Sequence, residues 1–395
     1  MLMLKDEIAS YKSEIIALRR DFHRHPETGY KEYRTSKTIY DYLKSLKTFE
    51  IESLARTGIA ATIYGNSAFG KTIMLRANMD ALPIVEENDF NYKSENPGVM
   101  HASGHDAQMA VALVVAKLLS RHQENFKGAV KIVFQPNEER AGALDMINEG
   151  VLEHPRVDAA LAMYFTQMLD SGEIGLSKGT VLGNTEEFKL SITGKSGNTY
   201  LPHRSRDAAL CAAKIMESVQ LLESREYDPF MPVAVMFGKV HGGNARNVVI
   251  DKMILEGTIR FLDSGMETKV DDLKESFERI VKSCCKMMKT KYSLEFIHSN
   301  TELRNDETVV ENIRRCAHLT YGTERGIHIY KSLMGEDFAE FSGRIPSAIT
   351  FFGINNPAKD CIFPNYHPKY NIDEDILTSV VEYYYRSILE LLLRL

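Results

Sequence analysis

The chain has 395 residues, 44% of them apolar, and this length suits two domains better than a single hydrophobic core. The formal net charge of −6, with Lys and Arg mixed among Asp and Glu, argues against a nucleic-acid partner. No apolar run approaches the roughly 18 to 20 residues of a membrane span and the charged N-terminus is unlike a signal peptide, so we expect a cytoplasmic protein without a membrane partner.

The first half of the chain alternates helices with short apolar strands. Apolar residues at helical spacing predict an opening helix and a second helix at residues 32–46. Further along we predict a helix at 107–120 and strands at 59–64, 72–77, 129–134 and 158–164. Such alternation is typical of an α/β layer architecture with a largely parallel sheet.

From Gly183 the order of predicted elements changes. It becomes strand, helix, two strands, helix and strand, at residues 187–193, 207–222, 233–240, 253–261, 265–288 and 292–298. This is the split βαβ plan of a small ferredoxin-like α+β domain. The first pattern then resumes with elements at 307–319, 348–353 and 373–393. We therefore predict a discontinuous α/β domain of residues 1–182 and 299–395, into which residues 183–298 are inserted.

Eight segments in chain order carry a family resemblance. They are RRDFHRHPETGYKEYRTS, LRANMDALPIVEE, MHASGHDAQMA, FQPNEERAGALDMINEGVL, GKSGNTYLPH, HGGNARNVVID, MGEDFAEF and NYHPKYNIDED. Together they resemble the amidohydrolase branch of the aminoacylase and carboxypeptidase metallopeptidase family, which includes hydrolases of N-acyl and indole-acetyl amino acids. The resemblance implies a zinc-peptidase-like catalytic domain, a lid domain that also forms a homodimer, and a small amino-acid-like ligand.

In this family two divalent metals activate a water that attacks an amide carbonyl, and a carboxylate acts as general base. The resemblance assigns the role of base to Glu138 and places Asp80 in the active site. It keeps His105 and Glu139 as metal ligands.

The other three ligand positions of the family are occupied by Ser103, Tyr164 and Tyr366 in place of a thiolate and two imidazoles. A serine hydroxyl does not ionise at neutral pH, and a neutral phenol is a poor substitute for imidazole. A one-residue shift of the alignment would make His367 a rescue ligand. We therefore expect no two-metal centre, and either no metal or one weakly bound zinc or manganese ion. We interpret Ser103 instead as the first residue of a helix capping box with Asp106.

Substrate contacts are assigned by the resemblance to the inserted domain, at Asn198, His203, His241, Arg246, Asn247 and Arg260. Asn198 stands where the family has a His that polarises the substrate carbonyl, and its amide can still donate a hydrogen bond to an oxyanion. Two readings of the HGG segment remain open, a carboxylate-binding surface and a tight turn between strands. The Gly335 to Asp337 segment likewise fits helix capping as well as catalysis.

Three functions remain open. The first is an amidohydrolase-family protein that cleaves or binds an N-acyl amino acid or a dipeptide-like amide, with its usual two-metal mechanism lost. The second is a non-catalytic relative that binds a small molecule or a partner chain in the same cleft. The third is a metal-independent enzyme in which Glu138, His105 and the tyrosines perform acid and base steps. The replacement tyrosines have the size to fill an imidazole site and to hydrogen-bond to Glu139.

Overall fold

The computed structural model describes residues 2–262, 270–322 and 326–395. Its α-helices are α1 (Leu2–Ser10), α2 (Lys12–Arg24), α3 (Tyr33–Leu46), α4 (His105–Arg121), α5 (Gly142–Asn148), α6 (Ala208–Ser218), α7 (Val270–Met288), α8 (Glu307–Tyr321), α9 (Ala339–Ser342) and α10 (Leu377–Arg394). Within these described ranges, no helix combines the length and the apolar character needed to cross a membrane.

The strands follow in the same chain order. They are β1 (Glu50–Leu54), β2 (Gly58–Tyr64), β3 (Thr72–Asn78), β4 (Ala129–Gln135), β5 (Ala159–Asp170), β6 (Ile174–Gly175), β7 (Gly179–Leu182), β8 (Asn184–Thr193), β9 (Gly197–Asn198), β10 (Val233–Gly242), β11 (Val248–Val249), β12 (Lys252–Phe261), β13 (Lys291–Asn300), β14 (Leu303–Asn305), β15 (Ile327–His328) and β16 (Ser347–Asn355).

The first of two compact units comprises Met1–Gly179, Arg304–Tyr330 and Asp337–Leu395. Its sheet has the strand order β1-β2-β4-β3-β5-β16-β6-β15. Strands β4, β3, β5 and β16 are parallel, whereas β2 is antiparallel to both of its neighbours. The sheet is therefore mixed and not largely parallel as predicted. The three-residue connection between β1 and β2 closes a hairpin, which only antiparallel strands can form.

Helix α4 lies at the centre of this unit's core. Almost every position along it is buried, so it is apolar all round, as expected of a helix surrounded by protein. It packs against α2, α3 and α10, while β3 and β4 are buried at every position. Burial on both faces is typical of central strands that are covered by helices on each side.

Two differences from the sequence prediction lie near the start of this unit. The opening helix is interrupted at Tyr11 and continues as α2. Strand β1 was not predicted, because its residues are mostly polar and exposed, as is common for a strand at a sheet edge.

The second unit comprises Thr180–Leu303 and Lys331–Glu336. Its four-stranded antiparallel sheet has the order β10-β12-β8-β13, and α6 and α7 supply helical residues to its apolar core. This is the strand order of the split βαβ plan. Compared with the predicted division, residues 180–182, 299–303 and Lys331–Glu336 fall in this unit. The predicted helical residues 265–269 lie outside the described residues.

Candidate active site

The carboxyl ends of two parallel strands bring the acidic site residues together. Strands β3 and β4 pair in register, with Asn78 opposite Gln135. Asp80 follows the first strand and Glu138 follows the second. Ligand and catalytic groups gather at this edge of α/β sheets because the loops that leave neighbouring parallel strands start there together.

His105, the first residue of α4, is buried and contacts both strand ends. Its Nδ1 lies 2.8 Å from the main-chain oxygen of Asp80 and 3.4 Å from the Asp80 carboxylate. Its Nε2 accepts from the side-chain amide of Asn78 at 3.3 Å and lies 3.8 Å from Oε2 of Glu138. The ring is thus fixed by Asp80 on one side and presents Nε2 to the Glu138 carboxylate.

Asp80 is buried yet ionised. Burial by itself raises the pKa of this carboxyl, but the contact with His105 and the main-chain N–H groups of Glu139 and Glu138 lower the pKa below its ordinary value overall. The N–H of Glu139 donates to Oδ2 of Asp80 at 3.2 Å. Asp80 therefore holds both the imidazole and the turn that carries the Glu pair.

That turn is a single 3-10 turn, Glu138–Arg140, between two residues with left-handed backbone. Asn137 has φ of +53° and Ala141 has φ of +64°. Glu138 is half-buried, with 11% of its side chain exposed, and Glu139 is exposed. The two neighbouring carboxylates thus differ strongly in their access to solvent.

Asp337 joins the site from a distant part of the first unit. Both of its carboxylate oxygens accept from Nε2 of Gln135, at 2.8 and 2.7 Å, and one also accepts from the N–H of Ala143 at 2.9 Å. The contact with Ala143 satisfies a free N–H in the first turn of α5, so Asp337 helps to cap this helix. Asp337 and Glu138 also offer carboxylate oxygens that lie within 4.8 Å of each other.

The residues at the three replaced ligand positions differ in their side-chain contacts. Tyr366, with φ of +69°, donates from its hydroxyl to Oε1 of Glu139 at 2.8 Å, which confirms the predicted tyrosine–glutamate hydrogen bond. Tyr164 lies in β5 and packs against Phe351, and Ser103 is buried just before α4.

The imidazole of the possible rescue ligand, His367, contacts Phe363 and Lys369. Its ring stacks on Phe363 at 4.5 Å, and its Nδ1 accepts from the N–H of Lys369.

The capping box predicted for Ser103 and Asp106 is wrong. Gly104, with φ of +83°, is the residue before α4, and no side chain caps it. Oδ1 of Asp106 accepts from the N–H of Ala107, and Oδ2 accepts from Nε of Arg19 at 2.9 Å and contacts Nδ1 of His23 at 2.8 Å. All three side chains are fully buried. A buried cation is a stronger partner for a carboxylate than a main-chain amide, and only the packing of α2 against α4 brings one there.

His101 is a buried residue that sequence reasoning missed, although it lies in the same MHASGHD segment. Burial lowers its pKa to about 3, so the ring is neutral. Neither of its ring nitrogens has a hydrogen-bond partner within the described part of the chain.

The proposed substrate residues lie in the second unit. Asn198 is in β9, which pairs with β11, and its side-chain oxygen accepts from the N–H of Tyr200. His241, in β10, lines a pocket of about 290 Å³ whose walls include Asn244 and Lys252.

The remaining four lie elsewhere in this unit. His203, Arg246 and Asn247 are exposed, and Asn247 accepts from the N–H of Thr199 through its main-chain oxygen. Arg260 donates to the main-chain oxygen of Leu333 at 3.0 Å.

A match over most of the chain identifies its protein family. Residues 74–390 match the pattern of peptidase family M20/M25/M40. The chain belongs to this family. The predicted resemblance and α/β fold class are therefore confirmed.

Relatives of this M20 chain are amidohydrolases and peptidases. N-acetyl-L-cysteine deacetylase of Bacillus subtilis is 32% identical and covers 99% of this chain and 92% of its own length. Thermostable carboxypeptidase 1 of Saccharolobus solfataricus is 32% identical over 95% of this chain and 94% of its own. The YXEP protein of Bacillus subtilis, a dinuclear metal binding peptidase of the M20 family, has a TM-score of 0.83 and 28% identity, with coverage of 98% and 100%.

The expectation that this chain has no two-metal centre is wrong. A relative that covers 98% of the M20 chain is a dinuclear metal binding peptidase, and carboxylate oxygens of Glu138 and Asp337 lie within 4.8 Å of each other. The expectation rested on the loss of one thiolate and two imidazole positions, with His105 and Glu139 as the remaining ligands. It did not count Asp337, which the fold brings close to Glu138, and carboxylates are good ligands for divalent metals.

The residues present fit a divalent cation. The carboxylates supply oxygen donors, and His105 Nε2 faces them as a nitrogen donor. The neutral, unpartnered imidazole of His101 is a second nitrogen donor within the same segment.

Proposed function

We propose that this M20 chain is a metal-dependent amidohydrolase that cleaves the amide bond of an N-acyl amino acid or a dipeptide-like substrate. The observation that carries the proposal is the position of Glu138, whose Oε2 lies 3.8 Å from His105 Nε2 and which offers a carboxylate oxygen within 4.8 Å of one of Asp337. A base next to a cation site is the arrangement that metal-assisted hydrolysis requires. The relatives give no support to the non-catalytic or the metal-free alternatives.

Divalent cations, when bound, would polarise the amide carbonyl and lower the pKa of a water molecule. His105, Glu139 and Asp80 are the residues that we expect to hold them. Glu138, with 11% of its side chain exposed, takes the proton of the attacking water and returns it to the leaving amine. Asp80 and Asn78 keep the His105 ring in its orientation.

The second unit would recognise the amino-acid end of the substrate. Arg246 and His241 are exposed and supply donors for a carboxylate, and Asn198 supplies an amide for an oxyanion. We also expect this unit to mediate a homodimer, which light scattering on the purified protein tests directly.

The test is hydrolysis by the purified protein of a panel of N-acetyl amino acids and dipeptides, with manganese, zinc or cobalt added. We expect release of the free amine that stops when a chelator removes the metal and returns when metal is restored. Absence of turnover across the panel, in protein shown by elemental analysis to contain metal, would contradict the proposal.

A further inference from the structure

Glu32 connects the start of α3 to the turn that carries the Glu pair. This residue is fully buried and immediately precedes α3. One carboxylate oxygen accepts from the main-chain N–H of Asn137 at 3.0 Å, and the other accepts from the hydroxyl of Thr57 at 2.8 Å. Glu32 lies 105 positions from Asn137 in the chain, so the contact depends on the fold.

Asn137 needs such a partner. It follows the end of β4 and adopts left-handed backbone, which costs free energy for a residue other than glycine. A buried main-chain N–H without an acceptor would add about 1 to 3 kcal/mol. The oxygen of Asn137 in turn accepts from the N–H groups of Arg140 and Gly142, which closes the turn around Glu138 and Glu139.

The same loop also shapes the space beside Asn137. A Cβ atom at Gly29 would collide with Oδ1 of the Asn137 side chain. The segment from Gly29 to Glu32 thus restricts the position of the Asn137 side chain by close packing and the position of its main chain by a hydrogen bond.

We propose that Glu32 is a positioning residue for catalysis, which fixes the backbone of Asn137 and thereby the direction of the Glu138 and Glu139 side chains. Its action on the reaction rests on the proposed function, whereas its action on the turn does not. Two buried carboxylates hold the turn from opposite ends, Glu32 at Asn137 and Asp80 at Glu139. Asp80 also contacts His105, so Glu32 is the one of the two that can be changed without touching a proposed ligand.

Glu27 provides a matched control. Its carboxylate accepts from the N–H groups of Arg34 and Thr35 in the first turn of α3, at 3.1 and 2.8 Å. It supports the start of α3, which Glu32 immediately precedes, and its carboxylate accepts from α3 and not from Asn137. Glu27→Ala therefore removes a half-buried carboxylate at the start of α3 but leaves the turn at Asn137 intact.

The experiment compares Glu32→Ala, Glu32→Gln and Glu27→Ala by amide hydrogen exchange and by kinetics. For Glu32→Ala we expect exchange at residues 137–142 to rise about tenfold or more, and kcat to fall about 10- to 100-fold with KM changed less than about threefold. Glu32→Gln should restore both values, because its amide oxygen still accepts from Asn137 and its NH₂ can donate to Thr57. Glu27→Ala should leave exchange at 137–142 unchanged.

The inference is overturned if exchange at 137–142 is unchanged in Glu32→Ala, or if it rises equally in Glu27→Ala. If Glu32→Ala does not fold, Glu32→Asp, which is too short to reach both partners, takes its place. If the parent protein hydrolyses nothing, the proposed function fails, but the exchange comparison still decides whether Glu32 holds the turn.

Discussion

The hydroxyl of Tyr366 donates a hydrogen bond of 2.8 Å to Oε1 of Glu139. Removal of the hydroxyl from solvent, although half of the side chain is exposed, together with the charges of Glu139 and Glu138, raises the pKa of Tyr366 above its usual value. The phenol therefore remains protonated and acts as a donor at neutral pH. It restrains one oxygen of a carboxylate that the family resemblance assigns to metal binding.

Replacing this phenol by an imidazole should strengthen metal binding. We expect Tyr366→His to bind zinc about tenfold or more tightly than Tyr366→Phe, because imidazole is a good zinc ligand and a phenyl ring offers no donor atom. Isothermal titration calorimetry of metal-free protein measures the difference. Equal affinities in the two variants would show that Tyr366 does not stand at a ligand position.

Removing the proposed base should abolish hydrolysis without unfolding the protein. For Glu138→Gln we expect kcat to fall by about 10² to 10⁴, the usual contribution of a general base. Glu124→Gln, at an exposed position between α4 and β4, is the control and should keep the activity of the parent. Melting temperatures of both variants should match the parent, and residual turnover near the parent value in Glu138→Gln would exclude Glu138 as the base.

Loss of the buried ion pair between Arg19 and Asp106 should lower the unfolding free energy far more than loss of an exposed ion pair. Asp106→Asn removes the fully buried carboxylate partner of Arg19 and leaves Glu374 as its remaining ion-pair partner, which we expect to cost about 3 kcal/mol of unfolding free energy. Asp41→Asn removes the partner of Lys37 on the surface of α3 and should cost less than about 1 kcal/mol. Urea unfolding measures the unfolding free energy of both variants. Similar losses of free energy in the two would show that burial does not decide how much each ion pair stabilises the protein.

Glu32 should make the protein less stable as the pH rises. Burial, against its hydrogen bonds to Thr57 and Asn137, raises the pKa of this carboxyl to about 7 from an ordinary value of 4.5. A raised pKa in the folded state means that the stabilising contribution is complete below pH 4.5 and is lost as the pH rises through 7.

Glu32→Gln cannot ionise and should not show this loss. We expect its unfolding free energy relative to the parent to increase by up to about 3 kcal/mol between pH 4.5 and pH 8. Urea titrations at several pH values measure it. A difference between the two proteins that does not change with pH would mean that Glu32 is not protonated in the folded protein.

The sequence alone was sufficient for the two-part architecture, most helices and central strands, and the family. Those features depend on local patterns, namely the period of apolar residues and short motifs, and both are readable along the chain. The sequence also placed Asp80 and Glu138 directly after two strands, and the parallel pairing of these strands brings the two residues together.

Only the tertiary structure decided which distant side chains meet. Asp337 contacts Gln135 across 202 positions and Arg19 contacts Asp106 across 87, and neither pairing has a local signal. The sequence therefore suggested a helix cap for Asp106 where the packing of α2 supplies a buried cation, and it undercounted the carboxylates available to a metal. Strand order, register and helix packing determine such contacts, because they bring together residues whose separation along the chain carries no information about their distance in space.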